Sequence, residues 1–345
     1  MSITPPLPPE PPQPPDTGAP ALQPTAAATF RDRSGGLQVF GVMQIICGAL
    51  FLLFIPLMLL GALTSLRTTG TRMPMGTYLL TCLSYGALAV VQIVLGIGSI
   101  RCRRWARALN LILSWVALFG GISVTIFMTA ILPTAFAAAL RHAAASSPNG
   151  AVPPAGVTAV ILTFIIVFMA IFLIAIPLAF VLFYSRKDVA ETCRLRDPVE
   201  RWTDRCPLPV LAASILFTYG AIYYVFLGIT TPMMPFFGRY LTGIPGSAFC
   251  LAHGALDILL AMWLYRLRLW AWWLALASLI LFAISAAITY RYGNLLSAYS
   301  RMGWTQAQLD LMNRSPMFRG HLILWWSLVY LVAGIVYLLF IKRYF

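Results

Sequence analysis

Eight long apolar stretches constrain the fold of this 345-residue chain more than any other feature. A helix needs about 20 apolar residues to cross the hydrocarbon core of a bilayer, because every backbone polar group must be bonded within the segment. Such stretches lie at approximately 37–63, 78–100, 109–132, 157–184, 210–229, 247–265, 269–289 and 321–340. They predict an all-α, polytopic integral membrane protein with eight transmembrane helices.

The composition excludes a soluble globular protein. Hydrophobic residues make up 60% of the chain and charged residues 10%, against roughly 45–50% and 25% in soluble domains. The net charge of +14 would suggest a nucleic-acid partner in a soluble domain. Here the basic residues gather in short loops between apolar stretches, where they face lipid headgroups. We therefore expect the lipid bilayer, and not nucleic acid, as the partner of these charges.

The distribution of basic residues predicts the orientation of the chain. Eight spans put both termini on one side, together with the loops after the second, fourth and sixth spans. That side holds 16 of the 24 Lys and Arg residues. Basic loops remain in the cytoplasm. Both termini are therefore predicted to be cytoplasmic, in the plasma membrane, which would be the inner membrane of a bacterial cell.

Four segments follow from the order of these features. Residues 1–34 form a proline-rich cytoplasmic tail, predicted to be disordered, with ten prolines between Ser2 and Pro24. Such a tail is either a solvated spacer or a ligand for a proline-recognising domain. Residues 35–184 and 208–345 are two membrane halves of four helices each. Residues 185–207 are a charged cytoplasmic link between them.

Matching landmarks suggest that the two halves are repeats. The motif at 101–105 (RCRRW) reappears at 266–270 (RLRLW), each time between the second and third spans of its half. Residues 47–51 (CGALF) resemble 219–223 (YGAIY), and both halves end on an aromatic residue followed by a basic pair. Because each half has an even number of spans, both copies would have the same orientation in the membrane, as parallel repeats. The alternative is that arginine-rich turns beside a tryptophan belt look alike in any membrane protein.

One polar pair lies deep in a predicted span. Asp257 is the only carboxylate in the eight spans, and His253 lies four residues earlier, on the same helix face. In the repeat register Asp257 corresponds to Gln92, so the two groups are predicted to face each other between the halves. An ionised aspartate in a membrane costs about 2.5–3.5 kcal/mol and suggests a proton, ion or substrate pathway. The alternative is polar glue, a neutral Asp257 bonded to His253, Gln44 or Gln92.

The link carries the other dense group of polar residues. It holds five of the ten carboxylates and six basic residues. We expect a short folded element, in which Asp197 and Pro198 start a helix and the charges pair internally or with Arg101, Arg103 and Arg104. It is a candidate site for a cytoplasmic protein partner; the alternative is a solvated linker. The candidate residues are Arg186, Asp188, Glu191, Asp197, Glu200, Trp202, Asp204 and Arg205.

Motifs for most enzymes are missing from the sequence. It contains no P-loop, no H-E-x-x-H and no G-x-S-x-G. Cys193 and Cys206 lack nearby ligands for zinc, so we expect no metal and no cofactor. The sequence favours a non-enzymatic membrane scaffold or regulator. The alternative is a proton-coupled secondary transporter that uses Asp257 and His253, and an intramembrane enzyme ranks third. Oligomeric state does not follow from the sequence.

Overall fold

Eight helices that are long and apolar enough to cross a membrane dominate the described part of the chain. The computed structural model describes residues 31–69, 75–146, 154–314 and 320–345, and most of the predicted proline-rich tail lies outside them. The predicted number of spans and the multi-pass helical architecture are confirmed.

The first half consists of four long helices, the fourth with a π-helical turn. Their bounds are α1 (Ser34–Thr69), α2 (Met75–Ile100), α3 (Arg104–Ser146), α4 (Ala155–Ala170), the π-helical turn Ile171–Ala175 and α5 (Ile176–Tyr184). The link forms α6 (Lys187–Arg196) and a 3₁₀ turn (Trp202–Asp204).

The second half adds short elements to four long helices. Their bounds are α7 (Leu208–Thr230), β1 (Met233–Phe236), β2 (Arg239–Thr242), α8 (Gly243–Tyr265), α9 (Leu269–Tyr292), α10 (Leu295–Arg301), α11 (Gln306–Arg314), α12 (Gly320–Ile341) and a final 3₁₀ turn (Lys342–Tyr344). The β-hairpin differs from the all-α prediction. Its two-residue turn, Phe237 and Gly238, has positive φ at both positions, which fits the right-handed twist of the paired strands.

Small residues bring neighbouring helices into backbone contact. A side chain on Gly41 would meet the carbonyl oxygen of Gly96 at 2.7 Å, so α1 and α2 touch there. In the second half, a side chain on Gly254 would meet the carbonyl oxygen of Ala221 at 3.1 Å. Close packing of this kind holds helices together in a bilayer. The hydrophobic effect does not drive their association there, because lipid tails are as apolar as the helix side chains.

The two RxRxW turns have the same backbone structure. Cys102 and Leu267 each adopt positive φ, 52° and 55°. In the first turn Arg103 N donates to Gly98 O at 2.9 Å; in the second, Arg268 N donates to Trp263 O at 3.1 Å. Each bond spans five residues and closes the preceding helix before the next begins.

Two buried clusters form the core of the described helices. One lies among α3, α7, α8, α9 and α12, and centres on Trp272, whose Nε1 donates to Leu338 O at 2.7 Å. The other joins α1, α3 and α5 to α6 through Leu37, Tyr184 and Cys193. The link helix is thus packed against the first half.

Candidate functional site

Asp257 is buried in the second half. Its side chain lies on α8 and faces α7 at Gly220, where an added Cβ atom would be 3.0 Å from Oδ2. Glycine therefore leaves room for the carboxylate between two closely packed helices. Asp257 is only 6% exposed, and within the described ranges it makes no hydrogen bond or ion pair. Its carboxylate oxygens keep some exposure toward the adjoining cavity, so the cavity, and not a hydrogen-bonding side chain, surrounds this polar group.

His253 lies one turn away from Asp257 and is surrounded by aromatic rings. Its ring centroid is 4.6 Å from that of Tyr224 in an edge-on arrangement, 5.5 Å from Phe282 and 6.3 Å from Phe249. The two polar residues share a helix face, as the spacing indicates, but no hydrogen bond joins them. The sequence did not single out these aromatic neighbours, because they come from three helices.

Two adjoining cavities meet at His253. The first, of about 240 Å³, is lined by Asp257 and His253 together with residues of α7, α9 and α12. The second, of about 290 Å³, extends from His253 to the β-hairpin. His253, Ser278 and Phe282 line both cavities. Together the cavities lead from the hairpin end of the second half toward the buried carboxylate.

The hairpin is tied down over the second cavity by two hydroxyl groups of α9. Phe237 N donates to Ser285 Oγ at 3.0 Å, and Gly238 N donates to Thr289 Oγ1 at 3.0 Å. Ser285 Oγ in turn donates to Pro235 O at 3.2 Å. These bonds hold Pro235, Phe236 and Phe237 in the cavity wall.

Gln44 and Gln92 form a separate polar group in the first half. Gln44 Nε2 donates to Gln92 Oε1 at 3.2 Å and to Asn110 Oδ1. This group joins α1, α2 and α3 as polar glue. Asn110 was missed at the sequence level, although it is a fully buried polar residue in a predicted span. The presence of a polar amide side chain in an apolar span was the signal that could have identified it.

The predicted meeting of Gln92 and Asp257 between the halves is therefore wrong. Matched depth does not fix the direction in which a side chain points. Gln92 faces Gln44 on α1, whereas Asp257 faces Gly220 on α7. Each group turns into its own half, because each second helix packs most closely on the first helix of the same half.

Asp197 is the centre of the link. It is 1% exposed; its Oδ1 is 3.0 Å from Arg103 Nη1, and its Oδ2 accepts a hydrogen bond from the backbone N of Arg104 at 3.3 Å. The carboxylate thus caps the start of α3 from 93 residues away. The predicted helix start at Asp197 and Pro198 is wrong, since α6 ends at Arg196 and residues 197–200 are not helical.

Further ion pairs connect the link to its surroundings. The pairs are Arg104 with Asp204 at 3.2 Å, Arg33 with Asp188 at 3.5 Å and Arg196 with Asp32 at 2.8 Å. The last two involve the end of the predicted tail, which therefore contacts the link. Among the described residues, Arg186, Glu191, Glu200 and Arg205 are exposed and form no ion pair. Trp202 is 50% exposed, and its carbonyl oxygen accepts a hydrogen bond from Tyr265 at 2.8 Å.

The cysteines of the link are buried free thiols. Burial raises the pKa of Cys193 to about 12 and that of Cys206 to about 11. Nearby, no group of three or more His, Cys, Asp and Glu gathers to hold a metal, nor does one elsewhere in the described ranges. The protonated thiol is favoured in the folded protein, and only the thiolate reacts rapidly.

We expect Cys193 and Cys206 to react with a maleimide at pH 7.5 at least about 100-fold more slowly in the folded protein than after unfolding in SDS. Mass spectrometry of the peptides measures both rates. The same shift makes the free energy of unfolding depend on pH: it is unaffected by these thiols below about pH 8.5 and falls as the pH rises from there toward 11 and 12, because only the unfolded thiols ionise in that range. Equal rates in folded and unfolded protein would contradict this burial.

Comparison with protein-family models, with curated proteins and with solved structures gave no match, so function must be inferred from the geometry.

Proposed function

We propose that this protein is a proton-coupled secondary transporter in which Asp257 carries the proton. The observation that supports this most is a largely buried carboxylate without a protein partner that lines a half-open cavity among α7, α8, α9 and α12. A structural aspartate would have hydrogen-bond partners, as Asp197 does. A proton carrier instead needs a carboxylate that is free to bind and release a proton.

The two cavities supply a route to this carboxylate. One cavity extends from the hairpin to His253, and the other from His253 to Asp257. His253 stands where they meet and is a suitable proton relay, because imidazole gains and loses a proton in the physiological range.

The proposal includes two similar halves and a cytoplasmic link. The matching turns at Cys102 and Leu267 support a repeat, as do two matching glycine contacts. Gly48 on α1 packs against Ile93, Ala89 and the Cβ atom of Gln92 on α2, and Gly220 on α7 packs against the Asp257 carboxylate on α8; the repeat register equates Gly48 with Gly220 and Gln92 with Asp257. The excess of basic residues on the side of the link supports cytoplasmic termini in a bacterial inner membrane.

A scaffold or regulator is the second candidate. Leu195, Val199 and Trp202 are apolar and exposed on the link, and a cytoplasmic partner would bury them. The transporter ranks first because the bond from Tyr265 places Trp202 at the membrane end of α8, where an amphipathic ring is normal. An unpaired carboxylate in a membrane helix has no comparable ordinary explanation.

Dicyclohexylcarbodiimide tests for the proton site, because it enters membranes and reacts with protonated carboxyl groups in apolar surroundings. We expect a stable adduct on Asp257 in purified protein in nanodiscs, found by peptide mass spectrometry. Labelling should fall as the pH rises, since the ionised carboxylate does not react.

Asp257→Asn removes the labelled group, and Asp310→Asn is the matched control on exposed α11. The control should leave the labelling of Asp257 unchanged. Absence of an adduct on Asp257 in a monodisperse preparation would contradict the proposal.

A further inference from the structure

The cavity beside Asp257 has the composition of a site for an organic cation. Four aromatic residues line it, together with the carboxylate. They are Phe217 and Tyr224 from α7, Phe282 from α9 and Tyr337 from α12. Aromatic faces attract cations, most strongly where water is excluded, and a carboxylate is the natural counter-ion.

No Lys or Arg side chain of the cavity wall pairs with the Asp257 carboxylate. The charged or titratable groups in the cavity wall are Asp257 and His253 from α8, Tyr224 from α7 and Tyr337 from α12; α9 contributes Ser278 but no titratable group. No Lys or Arg is among the lining residues. Tyr337 donates its hydroxyl to Pro209 O at 2.7 Å, which fixes its ring beside the cavity. A cation from outside the chain therefore fits the unpaired charge.

We propose that the transported substrate is a small aromatic or apolar ammonium ion that binds the Asp257 carboxylate in exchange for its proton. This rests on the proposed function and names its substrate class. The exchange is balanced: the carboxylic acid releases one proton, and one monovalent cation takes its place. A volume of about 240 Å³ is below the roughly 300–1,000 Å³ of pockets for drug-sized ligands, so the substrate has about one ring and a compact ammonium group.

Benzyltrimethylammonium is a suitable probe, because its charge does not change with pH. Binding to the wild-type protein in nanodiscs is measured by calorimetry at pH 6 and pH 8.5. We expect the affinity to be at least tenfold higher at pH 8.5, since the cation competes with a proton. Neopentylbenzene has the same shape without the charge, and its affinity should not change with pH.

Two variants locate the effect. Asp257→Asn should reduce the affinity for benzyltrimethylammonium at least tenfold and weaken its pH dependence to the part that His253 contributes, and Tyr224→Leu should reduce the affinity several-fold. Asp310→Asn should change neither. The comparison of the charged and neutral probes uses only the wild-type protein. It therefore tests the recognition of charge even if Asp257→Asn fails to fold.

The outcomes separate this inference from the proposed function. A carbodiimide adduct on Asp257 that benzyltrimethylammonium does not prevent, with no cation binding, would overturn the substrate class and leave the proton site intact. Absence of the adduct together with pH-independent binding of the cation would overturn proton exchange. Equal affinity for the charged and neutral probes would overturn recognition of charge.

Discussion

Gly121→Ala is expected to lower the free energy of unfolding by about 3 kcal/mol, the upper end of the usual cost of overpacking. A Cβ atom on Gly121 would overlap the carbonyl oxygen of Leu173 and lie 2.7 Å from its carbonyl carbon. Backbone atoms have no rotamer with which to move aside, so α3 and the fourth span would have to separate.

Pro177 explains why this contact is so close. Proline has no backbone N–H, so the Leu173 carbonyl oxygen loses the hydrogen bond that an α-helix would give it. The helix adjusts through the π-helical turn, in which Ile176 N donates to Ile171 O. The Leu173 carbonyl group faces α3 at Gly121, where only a glycine leaves room for it.

Gly120→Ala is the matched control, because nothing lies within 4 Å of the added Cβ atom. It should be neutral or stabilising by up to about 1 kcal/mol, since alanine favours a helix more than glycine does. Thermal unfolding in detergent, followed by size-exclusion chromatography of the remaining folded protein, measures both variants. Equal stability of the two would contradict the contact with Leu173.

Asp197→Ala is expected to destabilise the protein by about 2–3 kcal/mol. The loss of a helix cap costs about 1 kcal/mol. A charge-assisted hydrogen bond contributes roughly 1.5–3 kcal/mol, and solvent at Arg103, whose side chain is 39% exposed, reduces this share. The link should also loosen, and Cys193 should then react faster with a maleimide.

Two further variants separate the contributions of Asp197. Asp197→Asn keeps an acceptor for Arg104 N and loses the charge, so it should cost about half as much. Asp188→Ala breaks a more exposed ion pair with Arg33 and should cost less than about 1 kcal/mol. The same thermal assay applies. If Asp188→Ala were as damaging as Asp197→Ala, the importance of the cap would be refuted.

The class of protein and its number of spans could be predicted from the sequence, because both depend on local properties. A span needs about 20 apolar residues wherever its neighbours lie. Asp257 also stood out without a structure, because a carboxylate in hydrocarbon is costly in any fold. Its spacing from His253 fixed a shared helix face, since the helix period is local.

Tertiary structure alone decided what surrounds each polar group. Depth in the membrane follows from counting residues, but the direction of a side chain depends on which helices pack together, so Gln92 and Asp257 point into different surroundings. Asp197 caps a helix 93 residues away, a contact that no local pattern indicates. The aromatic cavity is likewise built from separate helices, and its shape exists only once they are packed.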